Sequence, residues 1–209
     1  MLKAVLNEAW KLAPFRVAVV HISRATRERK NDSKENKLSE LLDSKTVISC
    51  HKVTAPSVFL SQDEDMDYFK LYLADTGLMV SLLADLSEEE GENIYAKLLS
   101  DKLPANLGFL YENAVAQAIQ STGRNLFYMT WPKENSTHNY EIDFLIRRGT
   151  HVQPIECKSS RIDSHLSLDE FCRKYSAIVI DPLIASQKDI RKIGPITNIP
   201  FYMVPNIFE

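Results

Sequence analysis

Hydrophobic and polar residues alternate with a period of two on both sides of a short turn near the middle of the chain. Residues 140–146 and 152–159 are rich in β-branched and aromatic side chains, and this pattern predicts two strands. Residues 147–150 lie between them and include Gly149, which suits the turn of a β-hairpin. The rest of the chain is organised around this hairpin.

The alternation also predicts which side chains share a face of the hairpin. In the first strand it places Glu141, Asp143 and Leu145 on one face and Ile142, Phe144 and Ile146 on the other. In the second strand it places Glu156 and Lys158 side by side, opposite Ile155 and Cys157. Pairing in the simplest register would collect carboxylates and a lysine in one patch. Such a patch is costly on a half-buried sheet unless a cation or a substrate binds it.

The patterns elsewhere predict further helices and strands in a definite order. From the N-terminus they are a helix over 2–12, a strand over 17–22, a polar stretch over 23–37, helical turns over 38–42, a strand over 46–53, a strand or extended entry over 69–73 and a helix over 76–83. Then come a helix over 109–121, strands over 126–131 and in the hairpin, a helix over 166–175, and strands over 177–180 and 201–204. This mixture predicts an α/β fold.

Glu112 is a carboxylate inside an otherwise apolar helical stripe. It shares one face of the predicted helix with Val115, Ala116 and Ile119, at spacings of three, four and seven residues. One interpretation is a half-exposed residue in the first turn, where the helix dipole favours a negative charge. The other is a functional carboxylate that faces the sheet.

The composition is that of an ordinary soluble globular protein. Of 209 residues, 44% are hydrophobic and 25% are charged, enough for one good core or a core with a small appended module. We expect a cytoplasmic protein, because no long apolar span or signal peptide is evident. The three cysteines have no CxxC spacing, so we expect reduced, unpaired thiols.

Charge is distributed unevenly along the chain. Residues 1–37 contain nine Lys and Arg and four Asp and Glu, whereas residues 62–101 contain two and eleven. The basic segment could contact nucleic acid phosphates, or it could be a solvated face or a docking surface for a partner. The acidic run at residues 88–92 is interpreted as a solvated loop or a helix start.

An acidic residue in one strand followed by an acid-x-Lys triplet in the next resembles the PD-(D/E)XK nuclease superfamily. Here Asp143 is the first acid and Glu156-Cys157-Lys158 is the triplet. Four ordered blocks, at residues 69–78, 108–116, 141–144 and 155–160, resemble the C-terminal domain of unknown function that follows an AAA-type ATPase module in many bacterial and archaeal proteins. The resemblance covers about residues 45–205.

This resemblance implies a particular architecture. Residues 61–209 would form a restriction-endonuclease-like mixed sheet flanked by helices, and residues 1–60 a small winged-helix-like segment. The chain contains no Gly-x-x-x-x-Gly-Lys-Ser/Thr loop, so it lacks the phosphate-binding loop of the related ATPases. It could be a shortened relative or a fragment of a longer protein.

The resemblance also implies a metal-dependent site. Asp143, Glu156, the carbonyl of Cys157 and Glu112 would hold Mg²⁺ or Mn²⁺. Lys158 would orient or deprotonate the attacking water and offset charge in the transition state. Without the resemblance, Lys158 reads as a salt-bridge partner of Glu156 or Asp143, and Glu141 as a neighbour that tunes the site.

Two functions are therefore expected from the sequence. The first is a Mg²⁺-dependent nuclease that hydrolyses phosphodiester bonds of DNA, with RNA as the alternative substrate. The second is a non-catalytic module that binds nucleic acid or protein and is accessory to an AAA-type ATPase. The acidic balance of the chain from residue 45 onward favours the second, because it opposes the binding of a polyanion.

Overall fold

The predicted α/β class is confirmed by a computed structural model with a nine-stranded mixed sheet. It describes residues 19–21, 42–86, 108–134, 136–159 and 162–208. The strands are β1 (Val19–His21), β2 (Val47–Val53), β3 (Glu64–Leu73), β4 (Leu126–Pro132), β5 (Asn139–Arg148), β6 (His151–Lys158), β7 (Leu183–Ser186), β8 (Arg191–Ile193) and β9 (Ile196–Pro200). The helices are α1 (Thr76–Leu86), α2 (Gly108–Ser121) and α3 (Leu166–Lys174), with 3-10 turns at Leu60–Gln62 and Phe201–Phe208.

The sheet runs in the order β1-β3-β2-β4-β5-β6-β7-β9-β8. Three neighbouring pairs are parallel: β2 with β4, β6 with β7, and β7 with β9. The other neighbouring pairs are antiparallel. The α3 helix connects the parallel neighbours β6 and β7, as a crossover helix does in a βαβ unit.

Each face of the sheet has its own hydrophobic core. On one side, which we call the α2 face, Val115, Ala116 and Ile119 of α2 pack on the strands. On the other side, the α3 face, Leu168 and Phe171 of α3 do so. The stripe predicted for α2 is therefore its buried face, and Val115, Ala116 and Ile119 are each 0% exposed.

The predicted hairpin is confirmed as β5 and β6. The two strands pair from Arg148 opposite His151 to Phe144 opposite Ile155. Gly149 has a φ of 61° in the connecting turn, a conformation that a residue with a side chain rarely adopts.

The predicted faces of β5 are wrong between Ile142 and Leu145. Phe127 and Met129 of β4 are two residues apart, but their partners Leu145 and Ile142 are three apart, so one extra residue of β5 bulges from the ladder. As a result Phe144 packs in the α2-face core, while Ile142 and Leu145 both pack in the α3-face core. For β6 the prediction holds, because Ile155 and Cys157 pack on the α2 face, opposite Glu156 and Lys158.

Two strands predicted near the C-terminus are also wrong. Residues 177–180 form a turn with one isolated bridge, Val179 to Val152, and the strand begins at Leu183 instead. Residues 201–204 belong to the 3-10 helix Phe201–Phe208, which contains Pro205, and the preceding strand is Ile196–Pro200. The 3-10 helix packs on α2, where Phe201 stacks on Tyr111 with ring centroids 4.7 Å apart.

The N-terminal predictions are only partly covered by the structure. The strands predicted at 17–22 and 46–53 are confirmed as β1 and β2. The helix predicted at 2–12, the polar stretch at 23–37 and the acidic run at 88–92 lie outside the described residues. Among the helices that the structure describes, none combines the length and apolar character needed to cross a bilayer.

Candidate metal centre on the α2 face

Three carboxylates meet on the α2 face of the sheet. They belong to Glu112 in α2 and to Glu141 and Asp143 in β5, and one oxygen from each lies within 4.8 Å of the others. Glu141 and Asp143 reach the same face because they are two residues apart in a strand. Glu112 arrives from the first turns of the helix that crosses this face.

A buried ammonium group lies among these acids. Lys70 of β3 is 2% exposed, and its Nζ lies 2.8 Å from Glu112 Oε1 and 2.5 Å from Glu141 Oε1. The same Nζ lies 4.9 Å above the centre of the Tyr128 ring, which adds a cation-π contact. Lys70 therefore joins the helix to two strands of the sheet through one charged group.

Neutral donors hold the carboxylates in position. The Tyr72 hydroxyl donates to Glu112 Oε1 at 2.5 Å. The backbone N–H of Cys157 donates to Asp143 Oδ2 at 2.7 Å. Asn113, next to Glu112, fixes the helix by bonding both the N–H and the C=O of Leu73 at 2.8 and 2.9 Å.

Burial and charge shift the pKa values of this cluster. The pKa of Asp143 is raised well above its ordinary value by burial and then by the negative charge of Glu112, against the lowering effect of Lys70. The pKa of Lys70 is also raised, because Glu112 and Glu141 outweigh the burial that would lower it. The Asp143 shift thus reflects burial first and the neighbouring acid second, whereas the Lys70 shift reflects its two acidic partners.

The structure does not bring Glu156 and Lys158 into this cluster. Glu156 is opposite Ile184, which packs in the α3-face core, so its side chain lies on the α3 face. There Lys158 Nζ forms an ion pair of 2.5 Å with Glu156 Oε1. The expectation of one shared patch is corrected by the β5 bulge, which turns Asp143 toward the α2 face and away from Glu156.

The Glu156 carboxylate is buried and only half satisfied. Its side chain is 8% exposed, and Oε2 accepts no hydrogen bond from any group in the described ranges. Burial raises the pKa of Glu156, while Lys158 and then His165 lower it. The pairing of Lys158 with Glu156 agrees with the salt-bridge interpretation of that lysine.

Cys157 contacts the cluster through its main chain. Its N–H binds Asp143, as described above, and its thiol packs against the α2-face core. Burial and then the charge of Asp143 raise the pKa of this thiol, so it stays protonated near neutral pH. The carbonyl of Cys157 as a metal ligand stays a prediction.

Two members of the cluster were missed or given a minor role by the sequence analysis. Lys70 lies between Phe69 and Leu71 in a segment predicted as a strand or an extended entry to a helix, and no role was assigned to this lysine. A lysine in the middle of an apolar strand was the available signal, because such a residue needs a buried partner. Glu141 was interpreted as a neighbour that tunes the site, whereas it pairs directly with Lys70.

The donor set fits a hard divalent cation. Carboxylate oxygens are the ligands that Mg²⁺ and Mn²⁺ prefer, and the cluster supplies three carboxylates from two elements. When all are ionised, one ammonium group leaves two negative charges unbalanced, and a divalent ion would neutralise them. The pKa of Asp143 is raised first by burial and second by the negative charge of Glu112.

Part of the chain is similar to a known protein family. Residues 107–201 match the family described as Domain of unknown function (DUF4143). No curated protein matches the chain in sequence. A crystal structure of protein VC1899 from Vibrio cholerae is similar with 12% identity and a TM-score of 0.30, over 98% of this chain and 48% of that one. The chain therefore spans about half the length of that protein.

The matched region contains most of the candidate site. It begins one residue before α2 and ends just after β9, so it includes Glu112, Glu141, Asp143, Glu156 and Lys158. Lys70 lies outside it, on β3.

Proposed function

We propose that the chain is a Mg²⁺- or Mn²⁺-dependent phosphodiesterase that hydrolyses nucleic acid, with DNA as the first substrate to test. The observation that carries this proposal is the meeting of the Glu112, Glu141 and Asp143 carboxylates around one point. Phosphodiester hydrolysis needs a bound divalent ion more than it needs a protein nucleophile, and three carboxylates are an adequate protein contribution to such a site.

The roles of the residues differ from those expected from sequence. Glu112, Glu141 and Asp143 would hold the ion, which when bound lowers the pKa of a coordinated water and polarises the phosphate. Lys70, rather than Lys158, supplies the positive charge that offsets negative charge on the phosphate oxygens. Tyr72 and the Cys157 N–H keep Glu112 and Asp143 in place.

The proposal also includes a PD-(D/E)XK-like core and an ATPase partner. The order α2, β4, β5, β6, α3, β7 is the order of helix, three strands, helix and strand expected for the PD-(D/E)XK superfamily and supports that fold. The separation of Asp143 from Glu156 and Lys158 departs from the motif of that superfamily. The four sequence blocks at residues 69–78, 108–116, 141–144 and 155–160, which resemble the domain that follows AAA-type ATPases, support an ATPase partner. We therefore propose an ATPase module, in the same protein or a separate one, as the partner.

A cleavage assay tests the proposed site. Plasmid and single-stranded DNA are incubated with the full chain in Mg²⁺, in Mn²⁺ and in EDTA. We expect metal-dependent cleavage that is lost in Asp143→Asn and Glu112→Gln and kept in Lys158→Ala. If Lys158→Ala loses cleavage and Glu112→Gln keeps it, the catalytic site would instead contain Glu156 and Lys158. If the wild type shows no metal-dependent cleavage, the proposed phosphodiesterase activity is wrong.

The second candidate is a non-catalytic module that binds nucleic acid or protein. This function is favoured because the charged groups of the cluster already have partners within it. Lys70 pairs with Glu112 and Glu141, and Tyr72 donates to Glu112. In that case the acids and Lys70 form a structural network. Wild-type binding of DNA without cleavage in any metal, unchanged in Asp143→Asn, would favour this function.

A further inference from the structure

A small cavity lies on the α3 face, away from the acid cluster. Its volume is about 250 Å³, and it is lined by residues of the 54–63 loop, among them Phe59 and Leu60, together with Phe127 of β4 and Arg147 of β5. We call it the Phe59 pocket. Phe127 and Leu60 belong to the α3-face core, and Arg147 is two residues from Leu145 of the same core. The pocket therefore lies on the face opposite the carboxylates.

The loop that carries Phe59 is held in a fixed shape by its own hydrogen bonds. The Thr54 N–H donates to the Asp63 carbonyl at 2.9 Å, and the Gln62 N–H donates to the Phe59 carbonyl at 2.7 Å. The Ser57 hydroxyl donates to the Asp63 carboxylate and also accepts from the Phe59 N–H at 3.0 Å. A pocket on such a loop is formed before any ligand arrives, which lowers the cost of binding.

Two of the lining side chains are poised for a ligand. Phe59 is 55% exposed, so part of its ring surface is open to a ligand. The Arg147 Nε donates to the Gly149 carbonyl at 3.2 Å, which orients the guanidinium group. In the part of the chain that the structure describes, no carboxylate pairs with this exposed arginine.

The chemistry of the pocket selects an aromatic ring that carries an anionic group. Phe59 and Phe127 offer ring surfaces for stacking, and Ser61 and Gln62 can hydrogen-bond the edge of a polar ring. The two terminal guanidinium nitrogens of Arg147, for which the described residues show no hydrogen-bond partner, suit a phosphate, which arginine binds through two parallel hydrogen bonds. The volume is below the roughly 300–1,000 Å³ of pockets that enclose whole drug-sized ligands, so a ring would enter and the charged group would stay at the rim.

We propose that the Phe59 pocket binds the base of a nucleotide whose phosphate pairs with Arg147. This site is separate from the metal centre, because Arg147 lies four residues from Asp143 along β5, about 13 Å at 3.3 Å per residue, and on the other face. It does not depend on the proposed phosphodiesterase activity.

Calorimetric titration in EDTA tests the pocket without involving the metal centre. The full chain is titrated with AMP, adenosine, inorganic phosphate and benzoate. We expect AMP to bind, adenosine to bind at least tenfold more weakly, and phosphate alone to give no saturable binding. Phe59→Ala should weaken AMP binding about tenfold, in the range for loss of one stacked base. Arg147→Ala should remove the difference between AMP and adenosine.

Matched controls separate the pocket from general effects. Tyr202→Ala removes an aromatic residue that is 79% exposed, and Arg191→Ala removes an exposed cation on β8; both should bind AMP like the wild type. The proposal is overturned if the Phe59 and Arg147 variants, folded by circular dichroism, bind AMP as the wild type does. It is equally overturned if wild type shows no saturable AMP binding, or if benzoate binds as tightly as AMP.

Discussion

Asp143 and Glu156 lie on neighbouring strands, and yet their carboxylates belong to opposite faces of the sheet. A regular hairpin would place them side by side, since Phe144 pairs with Ile155 in the adjacent position. The extra residue of β5 between Ile142 and Leu145 turns Asp143 toward Glu112 and Lys70. One bulge thus divides the charged residues of the hairpin into an acid cluster on the α2 face and the Glu156 and Lys158 pair on the α3 face.

Removing the buried ammonium group should strongly destabilise the fold. In Lys70→Met, the Glu112 and Glu141 carboxylates lose the cation that they share. We expect the free energy of unfolding in EDTA to fall by about 3–5 kcal/mol, the usual cost of leaving a buried charge unpaired. Urea denaturation at neutral pH measures the change.

The control for this variant is Arg173→Ala, which breaks the exposed pair between Arg173 and Glu170. Surface pairs of this kind contribute little, so the unfolding midpoint should not change measurably. A Lys70→Met protein as stable as the wild type would show that the acids do not depend on Lys70.

The side-chain amide of Asn113 should contribute strongly to the stability of the fold, because it fixes α2 to the end of β3. It bonds the N–H and C=O of Leu73 and the Thr76 hydroxyl. In Asn113→Ala two buried backbone groups lose their partners, and we expect a loss of roughly 2–4 kcal/mol. Thermal and urea unfolding measure it, with the exposed Gln120→Ala on the same helix as the control. Equal effects of the two substitutions would contradict this account.

Glu156 should make the protein less stable as the pH rises. Its pKa in the folded protein is raised by burial, so above about pH 4.3, the ordinary value for glutamate, the folded state binds more protons than the unfolded state. The free energy of unfolding then falls with rising pH, by at most about 1.4 kcal/mol per pH unit, until the raised pKa is passed.

Glu156→Gln should flatten this part of the pH profile, since the amide does not ionise. Urea unfolding at intervals between pH 4 and pH 7 gives the comparison, and the exposed Glu134→Gln serves as the control. A variant profile that falls as steeply as that of the wild type would show that Glu156 is not the titrating group.

Much of the fold follows from periodicity, and the exceptions have physical causes. The strands of the hairpin and the helix that carries Glu112 were predictable because their patterns extend over many residues. The short apolar runs at 177–180 and 183–186 flank Pro182 and look alike in sequence, so only packing decides that the second is β7. Phe201–Val204 looks like a strand, but its packing on Tyr111 favours the 3-10 helix.

The sequence predicted an acidic candidate site, but it predicted only some of the residues that the structure brings together there. Glu112 and Asp143 were predicted to share a site, and their carboxylates do lie together. The bulge that separates Asp143 from Glu156 depends on the pairing of β4 with β5, and such pairing leaves no local pattern in a sequence. Lys70 is separated from Glu112 by 42 residues and from Glu141 by 71 residues in the sequence. Helix and strand periodicity cannot predict a contact between residues so far apart in the chain.

Titration with Mn²⁺, followed by electron paramagnetic resonance of the free ion, tests the central claim most directly. If the acid cluster holds the ion, one Mn²⁺ should bind per wild-type chain. The Asp143→Asn variant, whose side chain can still accept the hydrogen bond from Cys157, should not bind it. The Glu156→Gln variant should bind it as the wild type does. Equal binding by the wild type and Asp143→Asn, or loss of the ion in Glu156→Gln alone, would contradict a metal centre built from Glu112, Glu141 and Asp143.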